Sequence, residues 1–148
     1  MNPETKAQLQ AINEANCRIN GLYTKWAHKS NHNYYMFLVC YILYMEDTVT
    51  QKQISQDCEI PKQTVNNVIT TLKQEACITL EPGDVDKREK KISFTEKGRQ
   101  YASEMLAPIF EIEERIVQKM GKERMGLLVE LTCLFCDFLE EEILHEQQ

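Results

Sequence analysis

The chain lacks any apolar run approaching the twenty or so residues that a membrane span requires. Its beginning is polar and has no apolar segment of the kind found in a secretory signal, so we expect a cytoplasmic protein that does not cross a membrane. Glycine is scarce, and no glycine-rich phosphate loop, G-x-S-x-G or H-E-x-x-H motif is present. These absences predict that the protein is not an enzyme and uses no cofactor.

Histidine is also scarce, and the cysteines do not have the arrangement of a metal site. Cys133 and Cys136 have C-x-x-C spacing, but they lie in an apolar helical pattern without a second ligand pair, whereas a zinc ribbon needs turns there. The three histidines are scattered along the chain: His28, His32 and His145. We therefore predict no metal site, and we expect the six cysteines to be mostly buried and reduced.

What the chain does contain is a pattern for two short helices between residues 50 and 74. Thr50 and Gln53 have the spacing of a capping box, which starts a helix ending near residues 56–58. Pro61 suits the first position of the next helix, because its φ is fixed and it has no N–H to satisfy. In that helix, apolar residues at three- and four-residue spacing predict a buried stripe, formed by Val65, Val68, Ile69 and Leu72.

The other face of that second helix is rich in Gln, Asn and Thr, which can pair with base edges in the major groove and do not repel phosphates. Lys62, at the helix start, can meet a phosphate. A polar surface helix is the alternative reading of this face alone. The candidate base-contacting residues are Gln63, Thr64, Asn66 and Asn67, followed on the same side by Thr70 and Thr71.

A hairpin with a charged tip is predicted next. Residues 78–80 and 92–94 alternate apolar and polar side chains, as half-buried strands do. The cations between them can lie along a phosphate backbone, and an arginine there can enter a narrow minor groove, where the potential is negative. A solvated turn is the alternative, but the position directly behind a Gln/Asn-rich helix favours a wing. The tip cations are Lys87, Arg88, Lys90 and Lys91, with Asp86 placed to brace Arg88.

Residues 86–98 resemble the wing-to-helix signature of the MarR family of bacterial transcriptional regulators, which has D-x-R in the wing and an aromatic residue or Leu before T-x-x-G. Residues 63–68 are similar to that family's recognition-helix pattern. Asn67 departs from it, standing where the family very often has Arg. The resemblance implies a ligand-responsive, DNA-binding repressor that acts as a homodimer on a pseudo-palindromic operator of double-stranded DNA.

The same resemblance implies a mostly α fold: a winged helix-turn-helix with a small antiparallel β wing, plus N- and C-terminal helices that form a dimerisation domain. Residues 1–148 would form a single domain, with dimerisation helices at about 1–30 and 100–148 and the DNA-binding region at about 48–98. Val49 would pair at a third edge of the wing sheet.

Flanking helices are predicted from residue 3 to 29, from 34 to 45, from 95 to about 119 and from 122 to 145. The helix at 34–45 is almost wholly apolar, which indicates a central core position. In the helix after the wing, Tyr101, Met105, Ile109, Ile112 and Ile116 are predicted to line one side. The last helix carries more apolar residues than one small domain needs to bury, which favours a second subunit.

The net charge of −6 argues at first against nucleic acid, but the charge is unevenly distributed. Residues 50–100 hold nine Lys and Arg against eight Asp and Glu, so the acidic excess lies in the flanks. Such a region binds DNA through local cations with a weak non-specific term. We therefore expect affinity to depend on dimerisation and base contacts.

Two kinds of regulatory site are consistent with the sequence. A small aromatic or anionic effector would bind aromatic side chains with polar tips, for which the candidates are Trp26, His32, Tyr34, Tyr35 and Phe37. Alternatively, Cys17 would act as a redox sensor, as first-helix cysteines do in some members of the family. A winged-helix module that binds only protein is the remaining alternative, and the acidic balance is the feature that supports it.

Overall fold

The computed structural model describes residues 1–57, 60–83 and 89–146. These residues form helices and a small sheet in an order that matches the predicted winged helix-turn-helix. The elements are α1 (Pro3–Lys29), α2 (Tyr34–Glu46), β1 (Thr48–Thr50), α3 (Gln51–Asp57), α4 (Lys62–Gln74), β2 (Ile78–Pro82), β3 (Lys90–Phe94), α5 (Glu96–Met120) and α6 (Lys122–His145). The mostly α fold class with a small antiparallel sheet is confirmed.

The three strands form an antiparallel sheet in the order β1-β3-β2. Val49 pairs with Ile92, as expected for a third edge strand, and Leu80 faces Ile92 from the other side. The β2–β3 pairing extends to Pro82 and Lys90, so each strand is two residues longer than the apolar alternation alone predicts. The sheet therefore anchors the base of the wing on both sides of β3.

Side-chain caps explain why the helices begin where they do. The Asn2 side chain accepts from the backbone N–H of Thr5, and Asn33 accepts from Tyr35 and Met36. The capping box predicted for α3 is present, because Thr50 N donates to Gln53 Oε1 at 2.8 Å and Gln53 N donates to Thr50 Oγ1 at 3.2 Å.

Helix α4 begins one residue later than predicted. Pro61 occupies its cap position with φ −53° and ψ 131°, and this extended ψ keeps Pro61 outside the helix. The Pro61 carbonyl still accepts from the N–H groups of Thr64 and Val65. The predicted stripe of α4 is confirmed, since Val65, Val68, Ile69 and Leu72 are all buried.

The chain divides into two compact units, Met1–Leu106 and Ala107–Gln148. In the first unit α2 is the central helix, as its apolar composition predicts. It contacts α1, α4, β1 and β3, and it buries Phe37, Val39, Cys40 and Leu43.

The predicted apolar side of α5 is partly wrong. Met105 and Ile109 are buried, but Tyr101 and Ile116 are 41% and 48% exposed, whereas Ala102 and Leu106 are completely buried. At 3.6 residues per turn, Ala102 and Leu106 extend the buried face to one side of Met105 and Ile109, and Tyr101 lies beyond its opposite edge.

The second unit contains the end of α5 and the whole of α6. Gly121, at φ +79°, separates the two helices in a conformation that favours glycine. No α6 residue is buried within the described chain, and its large apolar side chains are 44–58% exposed apart from Phe135 at 38% and the half-buried Met125. Among the described residues, no helix is both long enough and apolar enough to cross a membrane.

The T-x-x-G segment joins the end of α4 to the start of α5. Thr95 Oγ1 accepts from Gly98 N at 3.0 Å and donates to the Ala76 carbonyl at 2.8 Å, while Thr95 N donates to the Cys77 carbonyl at 2.9 Å. Gly98 lies so close to this strand entry that an added Cβ would be 1.7 Å from the Cys77 carbonyl oxygen. The segment thus needs a hydroxyl at Thr95 and no side chain at Gly98.

We predict that Gly98→Ala lowers the free energy of unfolding by about 2 to 4 kcal/mol, because the Cys77 backbone must move to admit the methyl group. Gly21→Ala is the matched control: its Cβ meets nothing within 4 Å, so it should change stability by about 1 kcal/mol or less. Urea unfolding measures both variants. Equal midpoints for Gly98→Ala and the wild type would contradict the close approach.

Candidate nucleic-acid interface

The solvent-facing side of α4 carries the predicted polar residues. Lys62, Gln63, Asn66 and Asn67 are exposed, and Thr64 is half-buried. The buried stripe on the opposite side fixes the rotation of the helix against the core, so these amides face outwards. The structure thus brings the predicted α4 residues together on one surface.

Hydrogen bonds divide the polar groups of this surface into two sets. Thr70 Oγ1 donates to the Asn66 carbonyl at 2.7 Å, and Thr71 Oγ1 donates to the Asn67 carbonyl at 3.1 Å. These hydroxyls are therefore engaged with their own helix. The side-chain amides instead bond to each other, with Gln63 Nε2 donating to Asn67 Oδ1 at 2.9 Å. The amides are the groups of α4 best placed to meet a ligand.

A groove of about 740 Å³ runs between the start of α3, the outer face of α4 and the base of the wing. A second groove of about 470 Å³ continues it along Lys62 and Gln63 to the start of α4. Lysines line this pair of grooves on every side, together with amide and hydroxyl groups: Lys52, Lys62, Lys73 and Lys90. The combination of local cations and hydrogen-bonding side chains suits a phosphate backbone and the base edges beside it.

One ion pair crosses the groove. Lys52 Nζ on α3 lies 3.1 Å from Glu89 Oε1 at the base of the wing. The two side chains are 60% and 36% exposed, so water screens the attraction between them. Glu89 places a carboxylate on a surface otherwise lined by lysines, and it would compete with any phosphate for Lys52.

The sequence prediction missed Lys52, Lys73 and Glu89. Lys73 lies on the same face as Asn66 and Thr70, and the helical spacing of residues 66, 70 and 73 was a signal for it. The predicted start of α3 also placed Lys52 in its first turn. The sequence contained no local signal for the approach of Glu89 to Lys52, because this contact depends on how the wing packs against α3.

The predicted wing-tip residues Asp86, Lys87 and Arg88 lie outside the described residues. Lys90 is exposed at the start of β3, opposite Pro82, and it lines the larger groove. The described base of the wing thus contributes a cation to the same surface as α4.

A second ion pair connects α5 to the turn between α2 and β1. Arg99 Nη2 donates to Asp47 Oδ1 at 2.6 Å, and the Arg99 guanidinium lies 5.6 Å from the centre of the Tyr44 ring. Asp47 has φ +59°, so the chain turns sharply between α2 and β1. Arg99 thereby connects the start of α5 to that turn.

The five effector candidates form an aromatic cluster between α1 and α2. The Trp26 ring lies 5.1 Å from Phe37 and 6.4 Å from His32, and Tyr34 lies 5.6 Å from Tyr35 and 6.4 Å from Phe37. Phe37 is only 2% exposed and belongs to the core. The other four are half-buried or exposed, so their rings offer the accessible part of the cluster.

Cysteine environments fall into two classes. Cys17 is exposed on α1 and lines a shallow groove with Gln10, Asn13 and other α1 residues. Burial, and secondarily Cys77, raises the pKa of Cys40 to about 12, so this thiol stays protonated and unreactive. Cys133 and Cys136 are exposed on α6, contrary to the expectation of mostly buried cysteines. No cluster of metal-ligating side chains is found among the described residues.

Comparison with known proteins gives a consistent result. A sequence model of the MarR family matches residues 38–89. The structure is similar to that of NMB1585, a MarR family regulator from Neisseria meningitidis, with 29% sequence identity, a TM-score of 0.78 and coverage of 100% of both chains. A search of curated proteins found no match.

Two more distant structures share the fold. Staphylococcus aureus MarR in complex with salicylate and kanamycin is 21% identical, with a TM-score of 0.66 over 94% of this chain and 97% of that one. S. aureus MepR in its DNA-binding conformation is 17% identical, with a TM-score of 0.65 over 88% of this chain and 98% of that one.

We predict that Glu89→Gln increases affinity for duplex DNA, because it removes a carboxylate from the groove and frees Lys52 for phosphate. The slope of log K against log salt should steepen by about one, whereas stability should change by less than about 1 kcal/mol. Glu104→Gln makes the same charge change on α5 and should alter neither quantity as much. Fluorescence anisotropy at several salt concentrations tests this; identical slopes for both variants would contradict it.

Proposed function

We propose that the chain is a MarR family regulator and acts as a homodimeric, ligand-responsive repressor that binds a pseudo-palindromic operator. The family model that matches residues 38–89 and the similarity to a 29% identical MarR family regulator over its whole length support this proposal. In this proposal α4 is the recognition helix and lies in the major groove. The wing follows the adjacent backbone, with Arg88, braced by Asp86, in the minor groove and Lys87 and Lys90 near phosphates.

The observation that carries the proposal is the outer face of α4. Its exposed side chains are neutral amides bordered by lysines, and no carboxylate of α4 itself lies among them. Carboxylates there would repel phosphates, whereas amides can both donate to and accept from base edges. A surface helix that only needed solvation would have no reason to exclude acidic residues in a chain with net charge −6.

The charge distribution supports a specific role for base contacts. Residues 50–100 have nearly balanced charge, so long-range attraction to DNA is weak. The groove lysines supply only local phosphate contacts. Two copies of α4 on one duplex would provide the remaining affinity, because a dimer addresses two half-sites at once.

The apolar surface of α6 supports a dimer. Leu128, Leu131, Phe138 and Leu139 are each at least half exposed in the single chain, and Leu134 is 44% exposed. An exposed apolar surface of this extent favours association, since each side chain removed from water contributes about 1.5 to 3 kcal/mol when fully buried. A second copy of the chain is the partner that the family assignment suggests.

The aromatic cluster is the proposed effector site. The salicylate complex of S. aureus MarR contains an aromatic acid, which has the chemistry expected for the ligand of this protein. Trp26, Tyr34 and Tyr35 would stack on the ring, while His32 would face the anionic group. Such a ligand would release DNA only if it bound more tightly to the conformation that does not fit the operator.

The test of DNA binding is selection from a random duplex pool at moderate salt with reduced protein. We expect enrichment of an inverted repeat whose half-sites lie about one helical turn apart. Asn66→Ala should weaken binding to the recovered duplex by about 1 to 3 kcal/mol, whereas Gln100→Ala, an exposed amide deletion on α5, should not. If no sequence is enriched and no shift occurs at low salt, the protein-binding alternative replaces this proposal.

The oligomeric state has its own test. Light scattering should give a dimer at micromolar concentration, and Leu131→Glu should shift it towards monomer, because two carboxylates would be buried in a symmetric interface. Operator affinity should fall in parallel. Asp137→Asn, a conservative change on the same helix, is the control. A wild-type monomer that still binds the full inverted repeat would contradict the dimer.

A further inference from the structure

Gln63 and Asn67 lie one helical turn apart on the exposed face of α4 and are joined by a hydrogen bond. Gln63 Nε2 donates to Asn67 Oδ1 at 2.9 Å. Both residues are exposed, so the bond forms in the absence of surrounding packing. It fixes the orientation of the Gln63 amide, because it points Nε2 towards the C-terminal end of α4 and leaves Oε1 on the other side.

The hydrogen-bonding capacity that remains decides what the Gln63 amide can recognise. One N–H of Nε2 is used by Asn67, which leaves the other N–H as a donor and Oε1 as an acceptor. Adenine presents the complement in the major groove, with N7 as acceptor and the N6 amine as donor. Guanine presents two acceptors, N7 and O6, so one of them would face Oε1 without a proton between them.

The neighbouring polar side chains differ from Gln63 in how they are held. The hydroxyls of Thr70 and Thr71 donate to α4 carbonyls, and the Asn66 amide lines both grooves, so it can meet a base edge beside the one that Gln63 meets. Gln63 lines only the smaller groove, at the start of α4 beside Lys62. Lys62 can hold a phosphate while the Gln63 amide meets a base edge.

We propose that Gln63, oriented by Asn67, selects an adenine in each half-site. Gln63 is the contacting residue, and Asn67 is a positioning residue that acts through it. This inference rests on the proposed function, in which α4 occupies the major groove. It goes further by naming the base and the atoms that recognise it.

The first experiment compares the sequences selected from a random duplex pool by the wild type, Gln63→Ala, Asn67→Ala and the double variant. The wild type should require adenine at one position of each half-site. Gln63→Ala should lose that preference, and Asn67→Ala should relax it at the same position. The double variant should behave like Gln63→Ala, because the two residues act as one unit. Gln100→Ala is the matched control, since it deletes an exposed amide that bonds to Glu104 at the same spacing.

The second experiment replaces that adenine by 7-deazaadenine, which lacks the N7 acceptor. Wild-type affinity should fall about two- to tenfold, because one of the two hydrogen bonds of the bidentate contact is lost. Gln63→Ala should bind the modified and unmodified duplexes equally. Base-pair geometry is unchanged by the substitution, so a merely structural role of Gln63 would not produce this difference.

The outcomes separate this inference from the function beneath it. If no duplex is enriched, both the proposed function and the adenine selection are wrong. If an inverted repeat is enriched but Gln63→Ala and Asn67→Ala relax the preference at different base pairs, or Asn67→Ala relaxes none, then Asn67 does not act through Gln63. The proposed DNA-binding function would be unaffected by that result. A preference at the Gln63 position for guanine, or indifference to 7-deazaadenine, also overturns it.

Discussion

The orientation of α4 depends on one contact, the meeting of Thr95 and Gly98 with the backbone of Ala76 and Cys77. α4 ends at Gln74, and the chain reverses through Ala76 at φ +54° before β2 begins. Thr95 donates to the consecutive carbonyls of Ala76 and Cys77 at this turn, and an added Cβ at Gly98 would collide with the Cys77 carbonyl. The C-terminal end of α4 is therefore tied to α5, while its buried stripe fixes its rotation. A helix constrained at both its end and its face presents the same residues to every ligand.

Given that rigid placement, the chemistry of the surface determines how it discriminates. A strongly basic face would bind any duplex, whereas this face combines a few lysines with amides and one intruding carboxylate, Glu89. A contact to phosphate raises the affinity for DNA of any sequence. An amide contact to a base edge adds sequence specificity and a modest gain in affinity. In the proposed complex, the Lys52–Glu89 ion pair would weaken the contact of Lys52 with phosphate, so base contacts would supply a larger share of the binding energy. The negative net charge of the chain and the nearly balanced charge of residues 50–100 also limit binding that does not depend on base sequence.

The sequence predicted most of the fold because its signals were local. The capping box of Thr50 and Gln53 starts α3 where the chain pattern placed it, and the bounds of α1 and α6 agree with prediction. The α5 stripe was misjudged because the predicted set left out Ala102 and Leu106, which are completely buried. The exposed polar face of α4 was predictable, because it lies opposite the buried apolar stripe of the same helix. The Gln63–Asn67 bond depends on rotamer choice and the Lys52–Glu89 pair on chain reversal, and residue order specifies neither.

The position of α2 would determine how the proposed effector influences DNA binding. Phe37 is the buried member of the aromatic cluster, and the same helix contacts α4 and β1 directly. At its far end, Asp47 turns the chain into β1 and is held by Arg99 from the start of α5. A ligand that shifts α2 would thus act on α4 through packing and on α3 through the Asp47 turn. Because close-packed interiors transmit small displacements, a change at the cluster has a continuous physical path to the recognition surface, and only the difference in ligand affinity between the two arrangements supplies the energy.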